Sequence, residues 1–400
     1  MTPAPQKSLR FRDFQNSISV GFRRISVSGL LVLCLAWGLS SCADQSRTET
    51  KLAEDITTAQ TASGSTLTLS DVTLEQANEQ GQLVWRVKSV EATYSRDQRM
   101  VMVKKPEGEL FQDGELVYEI EAETGEVFQN GEKIFLRGKI VARDPNHNIV
   151  LRGNELEWRP DDDLLIVRNN LVGEHDQVLA TATEAKVFTR QKRMELFGQV
   201  VANVKEPVLQ MRTEHLIWEM EREKMTGNRP IQIDEYENKK VVNSGFADFS
   251  EFDLKTKIAI LKKNAQMISV EPPWQISSTL INWDVNKNAV DSPVPVSVLH
   301  QAEKVVLTAN QGKGNLEEQI FYFQGNVVGI GQQRQAQLNS DFLTWKLKDQ
   351  SFEADGNVVF RQVEPPFNLM GSKAVGQFAN ETVIVRGGES GHQVVTEIVP

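Results

Sequence analysis

Four short blocks of this chain share one pattern, and a repeated pattern constrains a fold more than any composition does. They are Gly138-Lys139-Ile140-Val141-Ala142, Gly198-Gln199-Val200-Val201-Ala202, Gly325-Asn326-Val327-Val328-Gly329 and Gly356-Asn357-Val358-Val359-Phe360. Three of them lead on to a Leu and a Trp: Leu156 and Trp158, Leu216 and Trp218, Leu343 and Trp345. A glycine turn, a β-branched strand and a second strand ending in an aromatic, repeated in this way, mark a repeat architecture. Each unit buries its apolar face only by stacking on its neighbours.

From Leu83 onward the texture is that of strands. Gln199–Lys205 alternates, with Val200, Ala202 and Val204 on one face, as a half-buried strand does. Gly, Asn, Asp-Pro and Glu-Pro punctuate the runs. Residues 214–224 have a helix-like composition, but the phase of the repeat makes them a strand and a turn. The marks imply a period of about 30 residues, each unit two strands with their turns. Unmarked units then fall at Gly108, Asn169-Asn170, Pro230, Asn264 and Pro295. Trp85-Arg86-Val87 and Trp274-Gln275-Ile276 stand at similar distances before Gly138 and Gly325, which predicts a duplication with its boundary near Asn243. The expected organisation is all-β, with two tandem β-domains, 71–243 and 244–400.

The N-terminus reads differently. Lys7, Arg10, Arg12, Arg23 and Arg24 against Asp13 leave the first 41 residues at +4, so the net −10 of the chain becomes −14 for the remainder. Residues 25–41 are uncharged and mostly apolar after those arginines, the arrangement of a secretory signal. The run is also near the lower length limit for spanning a bilayer, so a retained anchor helix stands as the alternative. Leu39-Ser40-Ser41-Cys42 resembles a bacterial lipobox, which makes Cys42 the candidate lipid-attachment site and 1–41 a lipoprotein signal peptide. Residues 42–70, rich in Thr, Ser, Gln and Glu, are expected to be a flexible tether with a mean reach of roughly 30 Å.

Reactive chemistry finds little support. With Cys34 inside the signal and Cys42 lipidated, the body has no thiol for a disulfide, a metal or a nucleophile. His147, His175, His215, His300 and His392 fall at unrelated phases, without ligand spacing. Gly329-Ile330-Gly331 lacks the third glycine of a dinucleotide loop, no Gly-x-Ser-x-Gly elbow occurs, and Asp161-Asp162-Asp163 lacks the spacing of a calcium loop. The acidic body has no basic patch of the kind that nucleic acid requires. The expectation is a protein without catalytic group, metal or cofactor, and without a nucleic-acid partner.

Trp85 and its alternating strand, Ala122-Glu123-Thr124-Gly125-Glu126-Val127, Phe135-Leu136-Arg137-Gly138-Lys139-Ile140-Val141 and Leu156-Glu157-Trp158 together resemble the LptC family of lipopolysaccharide-export proteins, relatives of the LptA or OstA-like family. The blocks at Gly325 and Gly356 resemble the same repeat, and the resemblance runs from Gly81 to Gly388. It implies two tandem OstA-like β-jelly rolls, each open along one side, with an apolar interior that shelters acyl chains. Burying about 0.8 kcal/mol per CH₂, a dozen carbons gain roughly 10 kcal/mol there. It further implies lipopolysaccharide as ligand, an inner-membrane lipopolysaccharide-export ABC transporter as donor, and an LptA-like periplasmic bridge protein as acceptor through edge-strand pairing. The place would be the periplasm, anchored to the inner membrane. Candidate groove residues are Ile140, Ala142, Trp158, Val200, Ala202, Trp218, Val327, Trp345 and Phe360. The chain is longer than is typical of that family and carries a lipobox where the family keeps a transmembrane anchor. A structural or adhesive β-repeat lipoprotein of the cell envelope is the rival reading.

Overall fold

The computed structural model describes residues 66–128, 132–331, 335–363, 366–377, 382–387 and 395–397. Signal segment 1–41, Cys42 and most of the expected tether lie outside the described residues, as does His392. The body starts with β1 (Thr68–Ala77), so the end of the tether expected at 42–70 is already strand: Thr68 to Ser70 pair with Glu91 to Thr93. Ladder hydrogen bonds outweigh a polar composition there.

Nearly everything after that is antiparallel strand. β2 (Leu83–Tyr94) is followed by four short strands, β3 (Met100–Lys104), β4 (Glu107–Gln112), β5 (Glu115–Glu121) and β6 (Thr124–Phe128). Six long ones come next: β7 (Ile134–Asp144), β8 (Ile149–Arg159), β9 (Leu164–Glu174), β10 (Val178–Phe188), β11 (Arg193–Val204) and β12 (Leu209–Glu219). The chain continues with β13 (Lys224–Gly227), β14 (Ile231–Glu237), β15 (Lys240–Ala247), β16 (Phe249–Asp253), β17 (Ile258–Ser269), β18 (Trp274–Asp284), β19 (Ala289–Ser292), β20 (Val296–His300), β21 (Val305–Ala309) and β22 (Gln311–Asn315). β23 (Ile320–Gly331), β24 (Ala336–Lys346), β25 (Ser351–Gln362), β26 (Phe367–Gln377), β27 (Thr382–Arg386) and β28 (Val395–Glu397) complete it. The only helical piece among the described residues is one 3₁₀ turn, Pro160–Asp162. Residues 214–224 are strand and turn, as the phase required.

The architecture is a β-jelly roll made by folding one long ladder along a line of corners. Each long strand crosses that line at its middle, so its two halves lie in two sheets that face each other. The repeated glycine sits at this corner. It is not a turn between strands, as the sequence suggested, but a bulge inside one. Gly198 has φ +74° and Gln199 φ +49°, and the register with β12 slips between Phe197 and Val200. Gly138, Gly325 and Gly356 do the same in β7, β23 and β25. Two successive left-handed residues insert one extra residue and bend the strand sharply. The unmarked units at Asn169-Asn170 and Lys263-Asn264 carry the same pair of positive φ values without glycine; three of these four residues are Asn, which tolerates that region.

Partner strands turn the corner by another device. On β8 the inward residues run Ile149, Leu151, Gly153 and then Leu156 and Trp158, so the alternation changes phase at the corner. Buried hydroxyls satisfy the backbone there: Ser89 Oγ donates to the carbonyls of Glu91 and Lys104, and Ser340 Oγ to that of Phe342. Elsewhere the strand simply breaks, at Pro106, Pro230 and Pro293 to Pro295, where proline removes a ladder donor. Strands β7, β9, β11 and β13 begin about 30 residues apart, as do β19, β23, β25 and β27, so the unit of the repeat is two strands.

Trp85 and Trp274 occupy matching places, each four residues before a corner serine, Ser89 and Ser278. Ile149, Leu209 and Ala336 hold the same place in their own strands. The boundary expected near Asn243 falls inside β15, whose ladder runs on to β14 and β17 through Asn243, Ser244 and Gly245. All the described residues belong to one compact unit.

Candidate functional site

The interior of the roll is the obvious candidate. All nine groove residues expected from parity point inward and are buried. They share one continuous hydrophobic core and are spread over three of its rungs. Ile140, Ala142 and Trp158 belong to β7 and β8, and Val200, Ala202 and Trp218 to β11 and β12. Val327, Trp345 and Phe360 belong to β23, β24 and β25.

The inward side chains of the first two rungs are buried in that core. At the third there is a cavity of about 90 Å³, lined almost wholly by apolar groups of both sheets. Trp345 and Phe360 line it, and so do Leu338, Leu343 and Phe352. It exists because β23 presents Gly329 and Gly331 inward, where β11 presents Ala202 and Val204 and β7 presents Ala142 and Asp144. Missing side chains leave a void that close packing would otherwise exclude. Sequence reasoning passed over these two glycines as a failed dinucleotide loop. Their inward parity in the Gly325 block was the signal that could have found them.

The free margins of the two sheets meet along the side opposite the corners, and aromatic rings make the contact. His175, in the β9–β10 turn, lies edge-on to Trp218 with ring centroids 4.9 Å apart. Trp274 meets Phe321 at 5.5 Å, and His300 meets Trp345 at 5.7 Å. In each case one ring comes from the start or end of a strand in one sheet and its partner from the other sheet. Burial holds His175 and His300 below the ordinary imidazole range, so both are neutral near pH 7. The indole N–H groups of Trp158, Trp218 and Trp283 are buried without an acceptor. Such orphan donors are rare in native proteins and ask for an explanation.

Several other polar groups have structural partners. His147 pairs with Asp144 at 2.8 Å, and His215 stacks on Phe197 at 4.3 Å while bonding Glu195 and Asn228. Asp163, in the Asp161–Asp163 turn, accepts from Arg190 and Gln112, which ties that turn to the β4–β5 hairpin. Asp234 is buried on the outer face and accepts from Arg212, Gln232 and Ser244. Among the described residues no group of three His, Cys, Asp or Glu is placed to hold a metal ion. No helix among them is long and apolar enough to cross a membrane.

Comparison with known proteins adds one finding. Residues 29–165 match the family model described as lipopolysaccharide-assembly, LptC-related. In the described structure this stretch runs from β1 to the start of β9. No curated protein matches the chain. With a jelly roll and an apolar interior in hand, that match makes residues 29–165 of the chain similar to the LptC-related family.

Proposed function

We propose that this protein is a non-enzymatic carrier in lipopolysaccharide transport, holding acyl chains between the two sheets of its roll. The observation that carries the reading is the apolar interior with its widening at Gly329 and Gly331. A chain of a dozen carbons sheltered from water gains roughly 10 kcal/mol, and no reactive group is needed for that. The cavity present is smaller than such a chain, so loading requires the aromatic margin to part. The orphan indole N–H groups of Trp158, Trp218 and Trp283 would then find acceptors in the ester and amide carbonyls of an acylated sugar.

In this reading the lipid comes from an inner-membrane lipopolysaccharide-export ABC transporter and leaves to an LptA-like periplasmic bridge protein. The chain itself has no phosphate-binding loop, so energy comes from the donor. Both ends of the ladder support edge pairing: among the described residues β1 pairs only with β2, and β27 only with β26. Anchoring in the periplasm falls to the N-terminal segment, through lipid on Cys42 or a retained helix. The two halves 71–243 and 244–400 are read as two copies of the repeat joined through β15.

A photo-crosslinking residue at Val200 and, separately, at Val327 tests this in cells. Capture of lipopolysaccharide at either inward position supports the carrier; capture at neither, with the protein folded, overturns it. One observation favours the rival: the inward residues of β7 to β12 belong to one continuous hydrophobic core, as they would in a scaffold. Depletion separates the two, because cells lacking a mere scaffold still deliver lipopolysaccharide to the outer membrane.

A further inference from the structure

A second concavity lies on the outer face, over the sheet half made by β19, β22, β23 and β24. Its volume is about 630 Å³, within the range of small-molecule sites. Two aromatic rings form its floor, Tyr322 at 43% and Phe342 at 50% exposure. Polar side chains stand among them in the ladder: Lys313 and Thr344 flank Tyr322, and Gln324 lies opposite Phe342. Asp291 stands beside Lys313 on the next strand.

The matching place in the earlier repeat shows what an inert version looks like. His215, which corresponds to Phe342, stacks on Phe197 and has both ring nitrogens bonded. Phe342 has no ring partner among the described residues, and the ring of Tyr322 carries Lys313, whose Nζ sits 5.5 Å from the ring centre. Two half-exposed rings in a concavity are not required by packing.

We propose that this groove binds a saccharide. Flat aromatic faces suit the C–H faces of a pyranose, while a carboxylate, an ammonium, an amide and a hydroxyl at the rim suit its hydroxyl groups. One Asp against one Lys leaves no net charge, which disfavours a polyanion or a strongly basic peptide. Leu343 lines both this groove and the interior cavity. An acylated sugar with its chains inside thus keeps its glycan within reach of the groove; this part of the inference rests on the carrier reading above.

The test uses the full chain and a water-soluble oligosaccharide obtained by stripping every acyl chain from lipopolysaccharide. Calorimetry and saturation-transfer NMR are expected to show binding by the native protein. The double variant Y322A/F342A should weaken it at least tenfold, whereas F197A, on the covered aromatic pair, should not change it. Both altered side chains are half exposed, and an unchanged urea midpoint checks that the fold is intact. No binding by the native chain, or equal binding by Y322A/F342A, overturns the saccharide site. Crosslinking of lipopolysaccharide at Val327 is read in parallel: if it persists while the oligosaccharide fails to bind, this inference falls and the carrier stands. The reverse result removes the carrier and leaves the groove.

Discussion

The imidazole of His175 meets the indole of Trp218 edge-on at 4.9 Å, joining a turn at the margin of one sheet to a strand end of the other. This contact and its counterpart between His300 and Trp345 lie where the roll would have to open.

Both imidazoles are held below 6.5 by burial; at His175 the carboxylates of Asp176 and Glu223 oppose this, and Lys205 and His147 reinforce it. The unfolded chain therefore binds more protons than the native one as pH falls below about 6.5. Stability is expected to be level above that pH and to drop as pH falls through it toward the depressed native values. Urea midpoints at a series of pH values check this. The variant H175N/H300N should flatten the slope; an unchanged slope would show that these rings are not its source.

Glu235 works in the opposite sense. Burial raises its pKa despite the hydrogen bond from Asn243 Nδ2 at 2.7 Å. The native carboxyl favours the neutral form, so its contribution is best at low pH and is lost as pH rises through the raised value. E235Q keeps an acceptor for Asn243 and removes the charge. It should raise the midpoint at neutral pH and leave it nearly unchanged near pH 4, as measured by thermal melting.

The corner bulge makes a demand on Gly198 that the following residue does not share. A Cβ there would lie 2.7 Å from Thr183 Oγ1, at φ +74°. G198A is expected to cost about 1–3 kcal/mol. N357G, which relaxes the second left-handed position of another bulge at φ +47°, should cost under about 1 kcal/mol. Equal midpoints for the two variants would mean that the corner is not strained by a side chain.

Trp158 separates packing from donor chemistry. W158A empties a fully buried site and should cost about 3–5 kcal/mol. W158F leaves a smaller void and removes an orphan donor, so a cost below about 2 kcal/mol is expected. If the donor serves the lipid, W158F nonetheless captures less lipopolysaccharide at a neighbouring crosslinker. Full capture would assign the indole to packing alone.

Cutting the chain at the expected boundary checks how the two halves depend on each other. Residues 66–243 alone would lose most of the β15 ladder that covers β14, and 244–400 would begin in mid-strand. Both fragments should be protease-sensitive at that edge, and co-expression should restore protection. Two independently resistant fragments would make them separate rolls.

Much of this was legible in the sequence. Val200, Ala202, Leu216 and Trp218 face inward as alternation and spacing required, because strand geometry ties parity to a face whatever the partners are. The family resemblance read between Trp85 and Trp158 also agrees with the match over 29–165. The role of Gly198 was misread: turn and bulge both need positive φ, and only the partner strand, with its slipped register, tells them apart.

By itself, then, the sequence determined the strands, their period of about 30 residues and which side chains are apolar lining. Those are local properties, set by backbone geometry and side-chain alternation. Only the tertiary structure decided that the ladder folds back along one line of corners, so that His175 reaches Trp218. It alone brought Asp291, Lys313, Tyr322 and Phe342 into one groove, and put Gly329 and Gly331 where the interior widens. Such neighbours come from different strands, and register across a ladder is a long-range choice that no single strand carries in its own residues.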